Sequence, residues 1–325
     1  MKIRELFEEE ENTVGSLTIN GKKVLLVSGR RKLWNGSFDC TNKNITSLEG
    51  SPLSTENSPF ICVGNKRLKS LNGGPTETGA FLCSHCDLRT LEGAPQKIYG
   101  RFWCDNNPNL TSLKGMPQED ISTLFCANCN LTSLEGAPLK IDGSFECSSN
   151  KNLTSLKGAP QEGVENLDCK KCNLHTLEGV PKKINGNFNC SNNKNLTSLK
   201  GMPQEGVANL ECSSCKLTSL EGAPKKINGN LICTNNPITS LKDIHKIIEE
   251  IKNFMIVPSS IESNILGVLN IKNLQNFNFF GKDGKYKKNE ISNIINKYLP
   301  NPNASQILDC QNELIEAGFE EYAEL

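Results

Sequence analysis

The 325-residue sequence predicts a repeat solenoid built on a parallel β-sheet, and three periodic features carry that expectation. A tetrapeptide close to L-T-S-L begins at Ile45, Leu68, Leu88, Leu110, Leu131, Leu153, Leu174, Leu196, Leu217 and Ile238. A cysteine keeps the same beat at Cys40, Cys62, Cys83, Cys104, Cys126, Cys147, Cys169, Cys190, Cys212 and Cys233. A G-x-P turn, such as Gly201-Met202-Pro203, follows every leucine pair but the last. The steps settle into 22 and 21 residues, the length of one short solenoid repeat.

The elements follow in chain order. Residues 1–36 predict an N-terminal cap, because a solenoid cannot leave its core face open. Within it, residues 2–11 read as a short helix, and the stretch after Thr13 as a hairpin turning at Asn20-Gly21, a favoured type I′ pair. Residues 37–242 hold about ten repeats. In each, F/L-x-C is a short strand whose alternate side chains point inward, and neighbouring strands stack about 4.8 Å apart. The Phe/Leu and Cys columns fill the core. Proline in G-x-P excludes a long helix on the return path, so that side is expected to be extended or polyproline-like, with the sheet on the concave side. Repeat character stops at Lys242, and residues 243–325 predict a small helical cap. Its helices are expected at 243–253, N-capped by Asp243, and near 261–270, 288–299 and 304–317.

Units such as Val207 to Leu217, V-A-N-L-E-C-S-S-C-K-L, fit the pattern L-x-x-L-x-L-x-x-N/C-x-L without a gap. Units from Val164 and Ile121 fit equally well, while intervening units carry one extra residue and place Asn193 where neighbours place Cys172 and Cys215. This array resembles the short bacterial class of leucine-rich repeats found in secreted effectors, and similar phage-encoded proteins. The resemblance covers residues 37–242, and the last helix looks like the tail of such phage proteins. It implies a binding scaffold.

Composition excludes several classes. Lys plus Arg and Asp plus Glu number 36 each, so no global field draws nucleic acid or an anionic membrane. No apolar run approaches the roughly 18 residues that span a bilayer. The opening MKIRELFEEEEN has acids where a secretory leader needs an apolar run, so a cytosolic protein is expected. The basic run Lys282-Asp283-Gly284-Lys285-Tyr286-Lys287-Lys288 reads as a solvated loop, and nucleic acid is not expected as a partner.

Several motifs look like chemistry and are better read as packing. Cys83/Cys86, Cys126/Cys129, Cys169/Cys172 and Cys212/Cys215 have zinc-ligand spacing. Both members of each pair point inward, and successive pairs are two strands, about 10 Å, apart. Four sulfurs about 2.3 Å from one metal cannot be gathered that way, so neither metal nor other cofactor is expected. Cysteine instead packs as a small hydrophobe whose S–H replaces the asparagine hydrogen bond to the turn. Charges after the second leucine alternate from Glu92 and Lys114 through Glu221 to Lys242, which stacks opposite signs and controls register. Bacterial effectors with similar repeats can carry a C-terminal ubiquitin ligase whose nucleophilic cysteine lies in a C-x-D motif. The sequence Cys310-Gln311-Asn312 lacks that aspartate. Ile307, Cys310 and Leu314 share a helical face, so burial is expected.

The binding candidate is the outward column between the Phe/Leu and Cys positions. Ile61, Leu82, Trp103 and Phe125 put large apolar side chains there in four consecutive repeats, where Asp39, Glu146, Asp168, Asn189 and Glu211 serve elsewhere. Val63, His85, Arg101 and Asp105 flank them, and Glu146 with Asp168 begins an acidic half. Contiguous exposed apolar surface marks interaction sites, and Trp with Arg is a typical hot-spot pair. The expectation is a non-enzymatic scaffold whose partner is a protein, with no small-molecule substrate evident. The alternatives are an effector-type enzyme using Cys310 and a self-associating structural component.

Overall fold

In a computed structural model, residues 34–256, 264–279 and 290–324 are described in full, with three backbone strands before them. The expected helix at 2–11, the Asn20-Gly21 turn and the basic run 282–288 lie outside the described residues. Those first strands, β1 (Ser16–Ile19), β2 (Lys22–Val27) and β3 (Arg30–Arg31), form an antiparallel sheet. The first two match the expected hairpin arms, with Ile19 opposite Lys22.

The chain divides into two compact units, residues 1–153 with 157–164 and residues 154–156 with 165–325. Both are parallel β-solenoids, making about 11 turns between them. In the first unit β4 (Phe38–Asp39), β5 (Pro59–Ile61), β7 (Ala80–Leu82), β9 (Arg101–Trp103), β10 (Thr123–Phe125) and β11 (Ser144–Glu146) stack in parallel. A second short ladder joins β6 (Glu77–Thr78) to β8 (Lys97–Ile98) on the return path. Phe38, Phe60, Phe81 and Phe102 fill the core column, with ring centroids 5.0, 5.5 and 5.8 Å apart. Trp34 closes its open end, 4.9 Å edge-on to Phe38, and donates its indole N–H to the Ser37 carbonyl.

The second unit stacks β12 (Asn166–Asp168), β13 (Asn187–Asn189), β14 (Asn209–Glu211), β15 (Lys226–Ile232), β16 (Glu250–Ile256) and β17 (Asn276–Phe279). Here the sequence expectation is corrected. The helix expected over 243–253 is only one turn, α1 (Ile244–Ile247), and Asp243 makes no side-chain cap, sitting at φ 57°. The chain then enters β16, and the ladder continues two strands past Lys242. Ile251, Phe254 and Ile256 take the inward places that Val207, Leu210 and Cys212 hold two strands earlier, and Leu274, Phe277 and Phe279 repeat them. Local apolar spacing suited either element. The unpaired edge of β15 offers the backbone partners that decide for a strand.

A 3-10 turn at Leu266–Asn270 stands where the helix near 261–270 was expected. The helices α2 (Glu290–Lys297) and α3 (Ala304–Glu316) agree with the other two expectations. Asn303 and Gln306 form a capping box on α3, and Gly318 at φ 83° follows its end. Between residues 34 and 243 there is no helix, as G-x-P required. Gly93 shows why glycine stands before that proline: at φ 84°, a Cβ would lie 2.5 Å from the Asn72 nitrogen.

Each cysteine-bearing strand leaves the sheet through a turn whose second residue after the cysteine has positive φ, including His85 (56°), Asn106 (58°), Asn128 (51°) and Lys171 (56°). Behind that turn, asparagine and cysteine alternate with different hydrogen bonding. Asn107 donates to the carbonyls of Cys83 (3.0 Å) and Cys104 (2.8 Å) and accepts from the Leu88 N–H (3.1 Å). Asn65, Asn150, Asn193 and Asn236 repeat that three-way tie. In the shorter repeats, Cys86, Cys129 and Cys215 make an S–H bond back to the carbonyls of Cys62, Cys104 and Cys190 at 3.3, 3.3 and 3.4 Å.

Candidate interaction surface

Strand pairing brings the outward column together within the first unit. Ile61 lies opposite Leu82, Leu82 opposite Trp103, Trp103 opposite Phe125, and Phe125 opposite Glu146. All five are half-buried, so their side chains line the sheet surface. The Trp103 and Phe125 rings stack at 5.3 Å between centroids and 11° between planes. Stacking covers part of one face of each ring with the other. The Arg101 guanidinium lies 5.8 Å from the Trp103 ring on one flank. Trp103 Nε1 is buried and has no hydrogen-bond acceptor.

On the other flank stands Asp105, which accepts from the Ser84 hydroxyl and the Asn106 amide. Beyond it the floor falls away, because Ala127 and Ser148 are small. Asp105, Asn106, Phe125, Ala127, Asn128, Glu146, Ser148 and Ser149 enclose a hollow of about 260 Å³. Glu146 accepts from the Ser148 hydroxyl at 3.1 Å. The sequence pattern pointed to Phe125, Asp105 and Glu146. It did not single out Asn106, Asn128, Ser148 and Ser149, which read as turn residues; their place beside the column depends on where the turn folds over.

Val63 is half-buried on the flank of Ile61, and His85 is exposed on its turn, its backbone N–H bonded to the Asp105 carbonyl at 3.1 Å. Asp168 belongs to the second unit, where Lys170 Nζ holds its carboxylate at 2.6 Å. That unit carries instead a ladder of asparagine amides at the position before the core residue. Asn209 donates to Asn187, Asn253 to Asn230, and Asn276 to Asn253, at 2.6, 2.7 and 2.8 Å. A second hollow of about 260 Å³ lies among Asn230, Asn253, Asn276, Asn278, Ile232 and Met255.

All 15 cysteines are buried thiols. In the paired positions the two sulfurs bond in opposite directions: Cys83 to the Trp103 carbonyl, Cys86 back to that of Cys62. Among the described residues no group of three or more His, Cys, Asp and Glu side chains could hold a metal ion. Cys310 is fully buried, and desolvation pushes its thiol up to about 12. Among the described residues no helix is long and apolar enough to cross a membrane. No family model, curated protein or solved structure matches the chain.

Proposed function

We propose that this chain is a non-enzymatic recognition scaffold of the leucine-rich-repeat type, binding a protein partner on the sheet face around Trp103. The carrying observation is the stacked Trp103–Phe125 pair on the outer surface, with a buried indole N–H left without an acceptor. Large half-exposed rings on a rigid sheet cost little ordering entropy when they bind, which is why Trp and Arg recur as hot spots. In the proposal, Ile61, Leu82, Trp103 and Phe125 form the apolar centre, and Val63, His85, Arg101, Asp105 and Glu146 the rim; Asp168 is a separate proposed contact on the second unit. The sheet is read as the concave face, and the resemblance to phage-encoded proteins makes a host or virion protein a suitable partner. Fifteen unbridged thiols suit a reducing compartment such as the cytosol. A thiol held at about 12 inside a helix face is poorly prepared for nucleophilic attack, which favours this reading over catalysis by Cys310.

The test compares partner capture by the intact chain and by Trp103→Ala/Phe125→Ala. The double variant is expected to keep its thermal melt within a few degrees and to lose capture by about tenfold or more. Unchanged capture by the variant would refute the reading.

A further inference from the structure

The hollow beside the ring pair says more about the partner than the rings do, if the face around Trp103 is the docking surface proposed above. Its walls carry two carboxylates, Asp105 and Glu146, and no lysine or arginine. One wall is Phe125, whose first face is already taken by Trp103 and whose strand neighbour on the other side is Glu146. The remaining lining, Asn128 and Ser149 among it, is neutral. A volume of about 260 Å³ admits one long side chain. The surface reads Arg101, Trp103, Asp105 across one strand, so the positive charge lies on the opposite flank of the ridge from the hollow. An apolar ridge beside an acidic hollow fits a peptide with alternating side chains, one apolar and one basic.

We propose that the partner presents a peptide segment with a lysine or arginine that enters the hollow between Asp105 and Glu146, next to a bulky apolar residue against the Trp103–Phe125 ridge. The cation then meets two carboxylates and an aromatic ring in a partly desolvated recess, where charge complementarity fixes the docking register.

The probe is a positional-scanning library of acetylated hexapeptides, read by fluorescence anisotropy against the full chain. Selected peptides are expected to carry Lys or Arg beside a large apolar residue, and to bind more weakly as salt is raised. Asp105→Asn/Glu146→Gln, of unchanged shape, is expected to weaken them about tenfold or more and to abolish the basic preference. Selection without that preference, equal binding by the charge variant, or no binding peptide at all overturns the assignment. Trp103→Ala in the same assay separates the two ideas. Binding lost there but kept in the charge variant leaves the docking face standing and removes only the basic residue.

Discussion

At the scale of single residues, the repeat is held by an asymmetry between asparagine and cysteine at one inward position. Asn107 ties three backbone groups, whereas the Cys86 thiol makes only weak S–H bonds. Removing the amide leaves two carbonyls and an N–H short of partners in a dry core, and each such loss costs about 1–3 kcal/mol. Asn107→Ala is therefore expected to lower stability by about 3 kcal/mol in urea unfolding, and Cys86→Ala by about 1 kcal/mol. Equal losses would show that the amide network is not what binds the turns. His85 offers the opposite sign. Its backbone is left-handed at φ 56°, a conformation that asparagine tolerates better, and its side chain is exposed. His85→Asn should raise the urea midpoint by the equivalent of about 0.5 kcal/mol; a drop would mean the imidazole makes a contact worth more than the strain.

At the scale of elements, the last strand shows how an open solenoid edge is closed. Helix α2 lies along β17 and supplies side chains in place of another strand. Asn296 accepts from the Phe277 N–H at 2.8 Å and donates to its carbonyl at 3.0 Å. The Ser292 hydroxyl does the same at Phe279, accepting at 2.8 Å and donating at 3.1 Å. An uncovered edge is a template for pairing with another chain. Ser292→Ala/Asn296→Ala is expected to lose about 2–4 kcal/mol and to self-associate with rising concentration in light scattering. A monodisperse, equally stable variant would mean that helix packing alone closes the edge. The charge alternation acts more gently. Lys114 meets Glu135 at 4.0 Å and Lys200 meets Glu221 at 3.1 Å, all well exposed, so each pair contributes less than about 1 kcal/mol and serves chiefly to disfavour slipped stacking.

Over the whole molecule, the buried thiols make stability depend on pH. Desolvation raises Cys86 and Cys215 to about 11, and Cys40 and Cys129 to about 12, from 9.0. The folded state therefore holds protons that the unfolded chain releases. Their stabilisation is complete below pH 9 and is lost as pH rises through 11–12. Each thiol whose proton the fold must hold above pH 9 loses on the order of 1 kcal/mol per pH unit, so the buried thiols together weaken the fold steadily as pH rises. The urea midpoint should hold from about pH 7 to 8.5 and fall progressively above about pH 9 under reducing conditions. A flat profile across that range would contradict the buried thiol ladder.

The sequence alone determined the period, the inward Phe/Leu and Cys columns, the outward column through Trp103, and the absence of a helix on the return path. Each of these is a consequence of side-chain direction alternating every residue and of proline lacking an N–H, which act within a few residues. The repeat pattern does continue past Lys242 in Ile251-x-Asn253-Phe254 and Leu274-x-Asn276-Phe277, matching Val207-x-Asn209-Leu210, but from sequence that stretch reads as the start of a helical cap. Their strands are harder to see because Ile256 and Phe279 replace the cysteine that marks the others. Only the tertiary structure decided that 250–256 is a strand, that Asn296 and Ser292 close the edge, and that a hollow opens between Asp105 and Glu146. Those outcomes depend on which backbone groups a neighbouring turn leaves unpaired, and on which small side chains stack beside large ones. Neither is a property of any one repeat.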